Sequence, residues 1–359
     1  MVKSAYIHIP FCKNICSYCD FCKIYYNEKL VDNYLYSLEK EIKDKYENEK
    51  LDTIYIGGGT PSALSIKGLE KLFDITKSFK LEDDYEFTIE CNIEDITIDM
   101  LELFKNNKVN RLSVGVQSFN NKILKYLGRN YDSKIIKEKI MLCKKYFYNI
   151  NIDLIYAVNN QSLSDLEEDL NNILDLNISH VSCYSLIIEE HTKLYVNEVK
   201  PIDSDLDYEM YKLINKKLSK KYNHYEVSNY SIPGYESKHN LKYWMNEEYY
   251  GFGLSAAGYI CNVRYTNTRN LNKYLNNEYG LDKEIIDKKS KIKYELILGF
   301  RLTKGINKDD FYKKYGILIY DIDNINKLIS QGYLIDDTQN IYVNEKYFYV
   351  LNDILINFV

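Results

Sequence analysis

The sequence predicts an α/β protein that begins with a partial barrel of six β/α units and ends with a smaller, winged-helix-like α+β domain. Apolar segments alternate six times with amphipathic helical segments within about 190 residues. The predicted strands are apolar throughout, as expected for a parallel sheet buried on both faces. From Pro201 the alternation stops, and the chain ends in helical segments and a predicted β-ribbon at residues 332–344.

Each predicted strand leads into a loop and then a helix or the end of the barrel. The six strands are predicted at residues 5–9, 53–56, 85–91, 111–119, 151–157 and 180–188. Apolar residues at helical spacing predict helices at 27–46, from Ser65 to Phe79, at 99–107, in the stretch up to Tyr148 and at 164–176. Six units are too few for a closed eight-unit barrel, so we expect an open one with its site at the C-terminal strand ends.

Length and charge limit the domain organisation and the partners. The 359 residues suit one large and one small domain, and we predict a barrel at 1–200, an extension at 201–287 and a winged-helix-like domain at 288–359. The net charge is −5 and no basic block occurs, so we expect no nucleic acid partner. Asp336 and Asp337 in the ribbon support that exclusion, because winged helices that bind nucleic acid usually present Lys and Arg there.

The cellular location follows from what the sequence lacks. No apolar run reaches the length of about 18 residues that suggests a membrane-spanning helix. The first residues, MVKSAYIHIPFC, have neither the charged start nor the long apolar region of a signal peptide. We therefore expect a cytoplasmic protein.

Four of the eight cysteines lie in the segment CKNICSYCDFC, directly after the first predicted strand. In the cytoplasm such a cluster indicates a metal, an iron–sulfur cluster or redox chemistry more often than disulfides. Cys12, Cys16 and Cys19 have the spacing C-x3-C-x2-C. Zinc sites usually add a second, distant ligand pair, and ferredoxin clusters use four thiolates. Three close thiolates favour a [4Fe–4S] cluster with one iron left open, with a zinc site or redox thiols as the alternatives.

An open iron can chelate the amino and carboxylate groups of S-adenosylmethionine (SAM). Electron transfer into the sulfonium then splits an S–C bond and yields a 5′-deoxyadenosyl radical. We expect Cys22 not to bind the same cluster, because a fourth thiolate would close the open iron. Tyr18 is expected to pack beside the adenine or the cluster. The other cysteines are interpreted as small buried hydrophobic residues: Cys91, Cys143, Cys183 and Cys261.

Beyond the cysteines, the sequence closely resembles the radical SAM superfamily. Within it, the chain resembles the heme chaperone branch of the oxygen-independent coproporphyrinogen III oxidase-like family. The matching stretches cover nearly the whole chain: YIHIPFC, GGGTPS, GVQSF followed by LGR, DLIY, YEVSNYSIPG, HNLKYW and ELILGFRLTKGI. Each stretch is weak alone, whereas their order and spacing together are specific. The resemblance implies a partial barrel of the radical SAM type.

The resemblance also implies which residues contact SAM. Tyr6 matches a position that contacts the cofactor, and Glu90 matches a partner for its ribose or amino group. The segment that meets the amino acid end of the cofactor is matched by Gly58, Gly59 and Thr60. Glycine suits that segment because backbone must approach the ligand closely. The remaining matched polar positions are Gln117, Arg129 and Asp153.

Two loops depart from the family pattern. After DLIY the family usually has Gly-Leu-Pro-Gly-Gln-Thr, whereas residues 157–162 read AVNNQS. Ile93 stands where a proline usually follows the Glu-x-Asn of the third strand. These departures concern the geometry of the loops and leave the cysteine motif intact.

Two features distinguish the oxidase from the heme chaperone branch. The oxidase resembles C-x3-C-x2-C-x-C, whereas Phe21 stands at the position of the extra cysteine here, and Cys22 follows it. The oxidase also carries an N-terminal extension ahead of the cluster, whereas the first ligand here is Cys12. Both features favour a heme chaperone without oxidase activity, and a coproporphyrinogen III oxidase of porphyrin biosynthesis is the alternative.

The heme chaperone branch implies heme as a ligand, an acceptor protein that is a cytochrome or lies at a membrane, and a reductant protein for the cluster. The segment HNLKYW is the candidate for contacting heme. On a helix, His239 and Tyr243 share a face, so the imidazole can meet iron while the ring packs on porphyrin. Trp244, the only tryptophan, is adjacent. The alternative is a core histidine with aromatic neighbours. The other histidines are interpreted as structural: His8, His180, His191 and His224.

Overall fold

Six parallel strands with helical connections form the centre of a nine-stranded sheet in the computed structural model, which describes residues 2–359. In the first 200 residues the strands are β1 (Ser4–Ile9), β2 (Phe11–Cys12), β3 (Ile24–Tyr25), β4 (Lys50–Gly58), β5 (Lys80–Asn92), β6 (Arg111–Gln117), β7 (Asn149–Tyr156) and β8 (His180–Ser185). The helices are α1 (Glu28–Lys45), α2 (Ile66–Thr76), α3 (Ile98–Asn106), α4 (Asn121–Tyr126), α5 (Lys134–Lys144), α6 (Leu163–Leu176) and α7 (Lys193–Val196). The α/β class and the partial barrel are confirmed.

The middle part of the chain adds strands to both edges of this sheet and also forms a separate three-stranded sheet from its last three strands. Its strands are β9 (Asn223–Glu226), β10 (Asn229–Ser231), β11 (Tyr250–Phe252), β12 (Ala257–Ile260), β13 (Val263–Asn267) and β14 (Gly280–Ile285). Its helices are α8 (Ser204–Leu218), α9 (Lys238–Trp244) and α10 (Leu271–Leu275). Strand β11 pairs parallel with β1, and β10 pairs antiparallel with β8. The domain division at residues 200 and 287 stays a prediction, since the sheet continues across the first boundary.

The last part of the chain has a hydrophobic core of its own, which includes Leu296, Phe311 and Ile341. Its helices are α11 (Lys288–Gly299), α12 (Lys308–Tyr315), α13 (Ile325–Ser330) and α14 (Leu351–Leu355). Its strands are β15 (Ile306–Asn307), β16 (Leu334–Asp336) and β17 (Asn340–Val343), in the order β15-β17-β16. The predicted ribbon is therefore the β16–β17 pair, and helices precede it as expected for a winged-helix-like domain.

The central strands are apolar on one face only, which corrects the expectation of strands that are apolar throughout. On β6, Leu112 and Val114 belong to the main hydrophobic core. The odd-numbered residues Arg111, Ser113 and Gln117 of the same strand line a cavity instead. The physical reason is the curvature of the barrel: successive side chains point to opposite faces, and only the face against the helices requires apolar residues.

The predicted start of α2 is confirmed, whereas two of the predicted helical stretches differ from the structure in length or continuity. Ser65 caps α2 as expected, because its side chain accepts a hydrogen bond from the backbone N–H of Gly68. The helix ends at Thr76, before the predicted end at Phe79. The helical stretch predicted up to Tyr148 is divided into α4 and α5.

Three of the four cysteines outside the loop are buried as expected: Cys91, Cys143 and Cys183. The prediction is wrong for Cys261, which is exposed because it lies in the turn between β12 and β13, with φ of 48°. Within residues 2–359, every helix is too short or too polar to cross a lipid bilayer.

Candidate functional site

A cavity of about 340 Å³ lies at the C-terminal ends of the parallel strands. Strands β4 to β8 each contribute residues to its wall. The structure brings most of the predicted site residues together in that wall: Cys12, Cys16, Cys19, Gly58, Gly59, Thr60, Glu90, Gln117, Arg129 and Asp153. Tyr6 and His239 lie outside it. Residues distant in sequence therefore meet where a partial barrel is expected to hold its ligand.

The three predicted cluster ligands line one side of the cavity. Cys12 is buried in β2, and its Sγ lies 3.7 Å from Oγ1 of Thr60. Cys16 and Cys19 are half-buried in the following loop, where the N–H of Cys19 donates to the carbonyl of Cys16 at 3.4 Å. Cys22 does not line the cavity. The structure thus distinguishes the fourth cysteine of the loop from the other three.

The three predicted ligands supply thiols alone, which are the usual ligands of iron–sulfur clusters. Burial raises the pKa of the Cys12 thiol to about 11 and also raises the pKa of Cys19. Because the thiolate is the metal ligand, iron would have to displace these protons on binding. Three thiols beside a cavity fit a [4Fe–4S] cluster with one open iron. The assignment of Cys12, Cys16 and Cys19 as its ligands stays a prediction.

The glycines at the end of β4 are required by the packing of the protein itself. Gly58 has φ of 116°, in the left-handed region, and a Cβ there would lie 2.6 Å from the ring of His8. A Cβ on Gly59 would lie 2.7 Å from the carbonyl of Pro10 and 3.0 Å from Sγ of Cys12. These glycines were predicted to let the backbone approach a ligand closely. In the structure they also let the end of β4 pack closely against His8, Pro10 and Cys12.

Two carboxyl groups face the same cavity. The hydroxyl of Tyr55 donates to Oε1 of Glu90 at 2.8 Å, and the N–H of Gly58 donates to Oε2 at 3.1 Å. Burial raises the pKa of Glu90 to about 7, with a further contribution from Asp153. The pKa of Asp153 is raised as well, mainly by burial. Two poorly solvated carboxyl groups favour a ligand that is cationic or donates hydrogen bonds, as the amino and sulfonium groups of SAM do.

Arg129 is fixed in the wall by two hydrogen bonds. Its Nη1 donates to Oδ1 of Asn92 at 2.7 Å, and its Nη2 donates to the hydroxyl of Tyr18 at 2.8 Å. Its buried Nε finds no hydrogen-bond partner within residues 2–359. Buried donors are normally paired, so this position fits a group that accepts a hydrogen bond from the guanidinium. Tyr18 also lines the cavity, and its packing beside the adenine or the cluster stays a prediction.

Backbone strain accompanies two of the strand ends. Gln117 ends β6 with φ of 70°, where the pairing with β7 shifts register. Ala157 follows β7 with φ of 59°, at a position where the family usually has glycine. The left-handed region costs a non-glycine residue roughly 1–2 kcal/mol. The loop after β7, which differs in sequence from the family pattern, therefore keeps a backbone conformation that suits glycine. The side chain of Gln117 lies in the cavity wall.

The cavity wall also contains polar residues that the sequence pattern did not predict: Arg111, Ser113, Asn151, Ser182 and Tyr184. Nδ2 of Asn151 donates to Oγ of Ser113 at 2.9 Å and to Oδ1 of Asp153 at 2.8 Å. Most occupy alternate positions on β6, β7 and β8. That period of two within segments interpreted as wholly apolar is the signal that could have identified them.

Tyr6 lies behind the cavity wall. Its hydroxyl pairs with Nδ1 of His8 at 3.0 Å, and its ring centre is 6.1 Å from that of Tyr55, which does line the cavity. Nε2 of His8 in turn pairs with the carbonyl of Cys22 at 2.8 Å. In this conformation Tyr6 supports the cysteine loop through His8, and its contact with SAM stays a prediction.

His239 is buried in the protein with both ring nitrogens occupied. Nδ1 pairs with Oγ1 of Thr53 at 2.7 Å, and Nε2 pairs with the hydroxyl of Tyr243 at 2.7 Å. Burial lowers the pKa of His239 to about 3. His239 and Tyr243 share a face of α9 as predicted, but the histidine would have to give up a hydrogen bond to coordinate iron. Its role as a heme ligand stays a prediction.

Comparisons with known proteins agree with the motifs. Residues 6–173 match the family model of the radical SAM superfamily, and residues 286–346 match the HemN C-terminal domain. The chain is 40% identical to the heme chaperone HemW of Lactococcus lactis subsp. lactis, an alignment that covers 99% of this chain and 97% of that protein. It is 39% identical to the heme chaperone HemW of Bacillus subtilis, over 88% of this chain and 87% of that protein.

A solved structure shares the fold along almost the whole chain. The coproporphyrinogen III oxidase HemN from Escherichia coli, a radical SAM enzyme, superposes with a TM-score of 0.87. The superposition covers 99% of this chain and 90% of that one, at 21% identity, and it supports the architecture alone. The sequence relatives are more specific, and they confirm the resemblance drawn from the motifs. The chain belongs to the HemW family of the radical SAM superfamily.

Proposed function

We propose that this chain is a heme chaperone that carries a [4Fe–4S] cluster and SAM, binds heme and passes it to an acceptor protein. The observation that carries the proposal is the position of Cys12, Cys16 and Cys19 on one side of a cavity that also has polar side chains in its wall. Relatives named heme chaperone HemW, which align with most of the chain, support the heme part of the proposal. When bound, the cluster and SAM would supply one-electron and radical chemistry.

The residues of the cavity have separate tasks in this proposal. Cys12, Cys16 and Cys19 would hold the cluster. Glu90 and Asp153 would balance the positive charge of SAM, and the backbone of residues 58–60 would contact its amino acid end. Arg129 and Gln117 offer hydrogen bonds from the remaining wall. The carboxyl pair is stabilised in its charged form when a cation enters, so ligand binding and carboxylate ionisation favour each other.

The proposal includes partners outside the chain. A reductant protein supplies electrons to the cluster, and an acceptor protein, a cytochrome or a protein at a membrane, takes the heme. The cytoplasm is the proposed location. The second candidate function is oxidative decarboxylation of coproporphyrinogen III, because the fold is shared with the oxidase HemN.

One anaerobic experiment distinguishes these two functions. The protein is reconstituted with iron and sulfide, reduced, supplied with SAM, and given either heme or coproporphyrinogen III. We expect stoichiometric heme uptake and no protoporphyrinogen. Formation of protoporphyrinogen together with 5′-deoxyadenosine would instead assign the oxidase activity. The reconstituted oxidase HemN, treated in parallel, is the positive control for turnover.

A further inference from the structure

The end of α4 is a tight turn that leaves helix carbonyls in need of partners. Gly128 follows the helix with φ of 80°, and its N–H donates to the carbonyl of Lys125 at 3.1 Å. The N–H of Arg129 donates to the carbonyl of Leu124 at 2.9 Å. These two bonds form a Schellman motif, in which a glycine in the left-handed region ends the helix. The motif does not use the two carbonyls that directly precede Gly128, so they require donors from another segment.

Ser17 of the cysteine loop supplies those donors. Its N–H donates to the carbonyl of Leu127 at 3.1 Å, and its hydroxyl donates to the carbonyl of Tyr126 at 2.9 Å. Its own carbonyl accepts a hydrogen bond from the N–H of Leu194, in α7, at 3.1 Å. All three polar groups of Ser17 are thus bonded to other segments. The loop is attached to α4 and α7 at a point between two of the predicted cluster ligands.

The loop and the end of α4 also lie too close together for a side chain at position 128. A Cβ on Gly128 would lie 3.1 Å from the backbone nitrogen of Ser17 and 3.5 Å from Cα of Cys16. The positive φ independently disfavours a residue that has a Cβ. Gly128 therefore serves both the turn that ends α4 and the approach of the cysteine loop to that turn.

The same contacts bring together one cavity residue from each segment. Tyr18 follows Ser17 in the loop. Arg129 follows Gly128 after the helix, and its Nη2 donates to the hydroxyl of Tyr18 at 2.8 Å. Both side chains line the cavity together with the predicted cluster ligands. We name Ser17, Tyr18, Gly128 and Arg129 the loop–helix junction.

We propose that Ser17 and Gly128 are positioning residues, which hold the cysteine loop in a fixed place relative to Arg129 and so preserve the arrangement to which SAM binds. The inference rests on the proposed function and adds two residues that act through the backbone of the loop. Cys16 and Cys19 flank the attached segment. Loosening the junction should therefore free these two cysteines while the rest of the barrel stays folded.

Alkylation of the full-length, reduced and cluster-free protein by iodoacetamide measures how firmly the loop is held. Ser17→Ala removes one hydrogen bond to α4, and Gly128→Ala introduces the strain and the close contact. In either variant, Cys16 and Cys19 should react about fivefold faster than in the wild type, as expected for the loss of one hydrogen bond. Mass spectrometry follows each cysteine, and the exposed Cys261 is the internal control for the reagent. The buried cysteines should stay protected: Cys91, Cys143 and Cys183.

The anaerobically reconstituted protein measures the effect on SAM. We expect both variants to keep the iron content of the wild type and to bind SAM more weakly. The loss should be about threefold for Ser17→Ala and about tenfold for Gly128→Ala. The change that SAM causes in the electron paramagnetic resonance spectrum should then require correspondingly more SAM. Ser17→Thr keeps the hydroxyl and should restore the wild-type affinity.

Two variants at other helix ends are matched controls. Ser65→Ala removes a serine hydroxyl that caps α2. Gly316→Ala introduces the same kind of strain, since Gly316 follows α12 with φ of 70°, but a Cβ there would meet no atom within 4 Å. Both controls should lower the free energy of unfolding. They should leave SAM affinity and the reactivity of the cysteine loop unchanged.

The outcomes separate the inference from the function on which it rests. If the wild-type protein assembles no cluster or binds no SAM, the proposed function fails, and the alkylation rates alone decide whether the junction holds the loop. If it binds SAM and both junction variants bind SAM equally well, the inference is overturned and the function stands. Faster alkylation of all the buried cysteines, or equal effects in the two control variants, would leave Ser17 and Gly128 a merely structural role and overturn the inference as well.

Discussion

Replacing Cys12, Cys16 or Cys19 by alanine should abolish the iron–sulfur cluster, whereas Cys22→Ala should retain it. Each of the first three thiols lines the cavity. A [4Fe–4S] cluster that is bound by three cysteines has no further protein ligand that could replace a lost one. Anaerobically reconstituted wild-type protein and Cys22→Ala should contain about four irons and four sulfides per chain. The other variants should contain almost none, and SAM binding should be lost with the cluster.

Cys22→Ala is the matched control because it removes a thiol from the same loop while preserving the loop structure. The backbone carbonyl of Cys22 pairs with Nε2 of His8, and alanine keeps that carbonyl while still offering a small apolar side chain to the core against which Cys22 packs. Loss of the cluster in Cys22→Ala together with its retention in any one of the other three variants would contradict the assignment of ligands. Iron and sulfide analysis with the absorbance of the cluster measures both.

Glu86→Ala should lower the free energy of unfolding by about 3–5 kcal/mol, the cost of leaving one member of a buried ion pair alone. Glu86 and Arg111 are 3% and 2% exposed, and Oε2 of Glu86 lies 3.9 Å from Nε of Arg111. The Glu86 carboxylate also accepts hydrogen bonds from the backbone N–H groups of Lys238 and His239, both at 3.0 Å. It therefore stabilises both the arginine and the start of α9.

Urea unfolding of wild-type and variant proteins measures this effect. Glu86→Gln keeps an acceptor for the helix but loses the charge, so its loss should be smaller than that of Glu86→Ala. Glu209→Ala, at an exposed ion pair with Lys212, should change stability by less than about 1 kcal/mol. A change below about 1 kcal/mol in Glu86→Ala would show that Arg111 needs no buried counter-charge.

Much of the site could be predicted because its residues follow successive strands. The C-terminal ends of parallel strands meet at one edge of the sheet, so the cysteine loop, Thr60, Glu90 and Gln117 come together there. The spacing of the cysteines indicates an iron–sulfur cluster without further information, since few kinds of metal or redox site use three thiols so close in sequence. The order of the strands and the C-terminal ribbon followed from the alternation of periods.

What could not be predicted depends on three-dimensional packing. Arg111 begins a strand whose neighbours are apolar, and only the barrel curvature shows that its side chain points inward toward Glu86. His239 and Tyr243 share the face of α9 that suggested a heme contact, but this face is turned toward β4. There the imidazole of His239 is hydrogen-bonded to Oγ1 of Thr53 and to the hydroxyl of Tyr243. The spacing of residues on a helix does not reveal which surface the helix covers.

The central claim is that one iron of a cluster held by three cysteines stays open for SAM. Electron paramagnetic resonance of the reduced, reconstituted wild-type protein, recorded with and without SAM, tests it most directly. We predict a [4Fe–4S] signal whose g-values shift when SAM is added, because the cofactor becomes a ligand of the open iron. A cluster signal that stays identical at saturating SAM, or a preparation in which zinc replaces iron, would contradict the account.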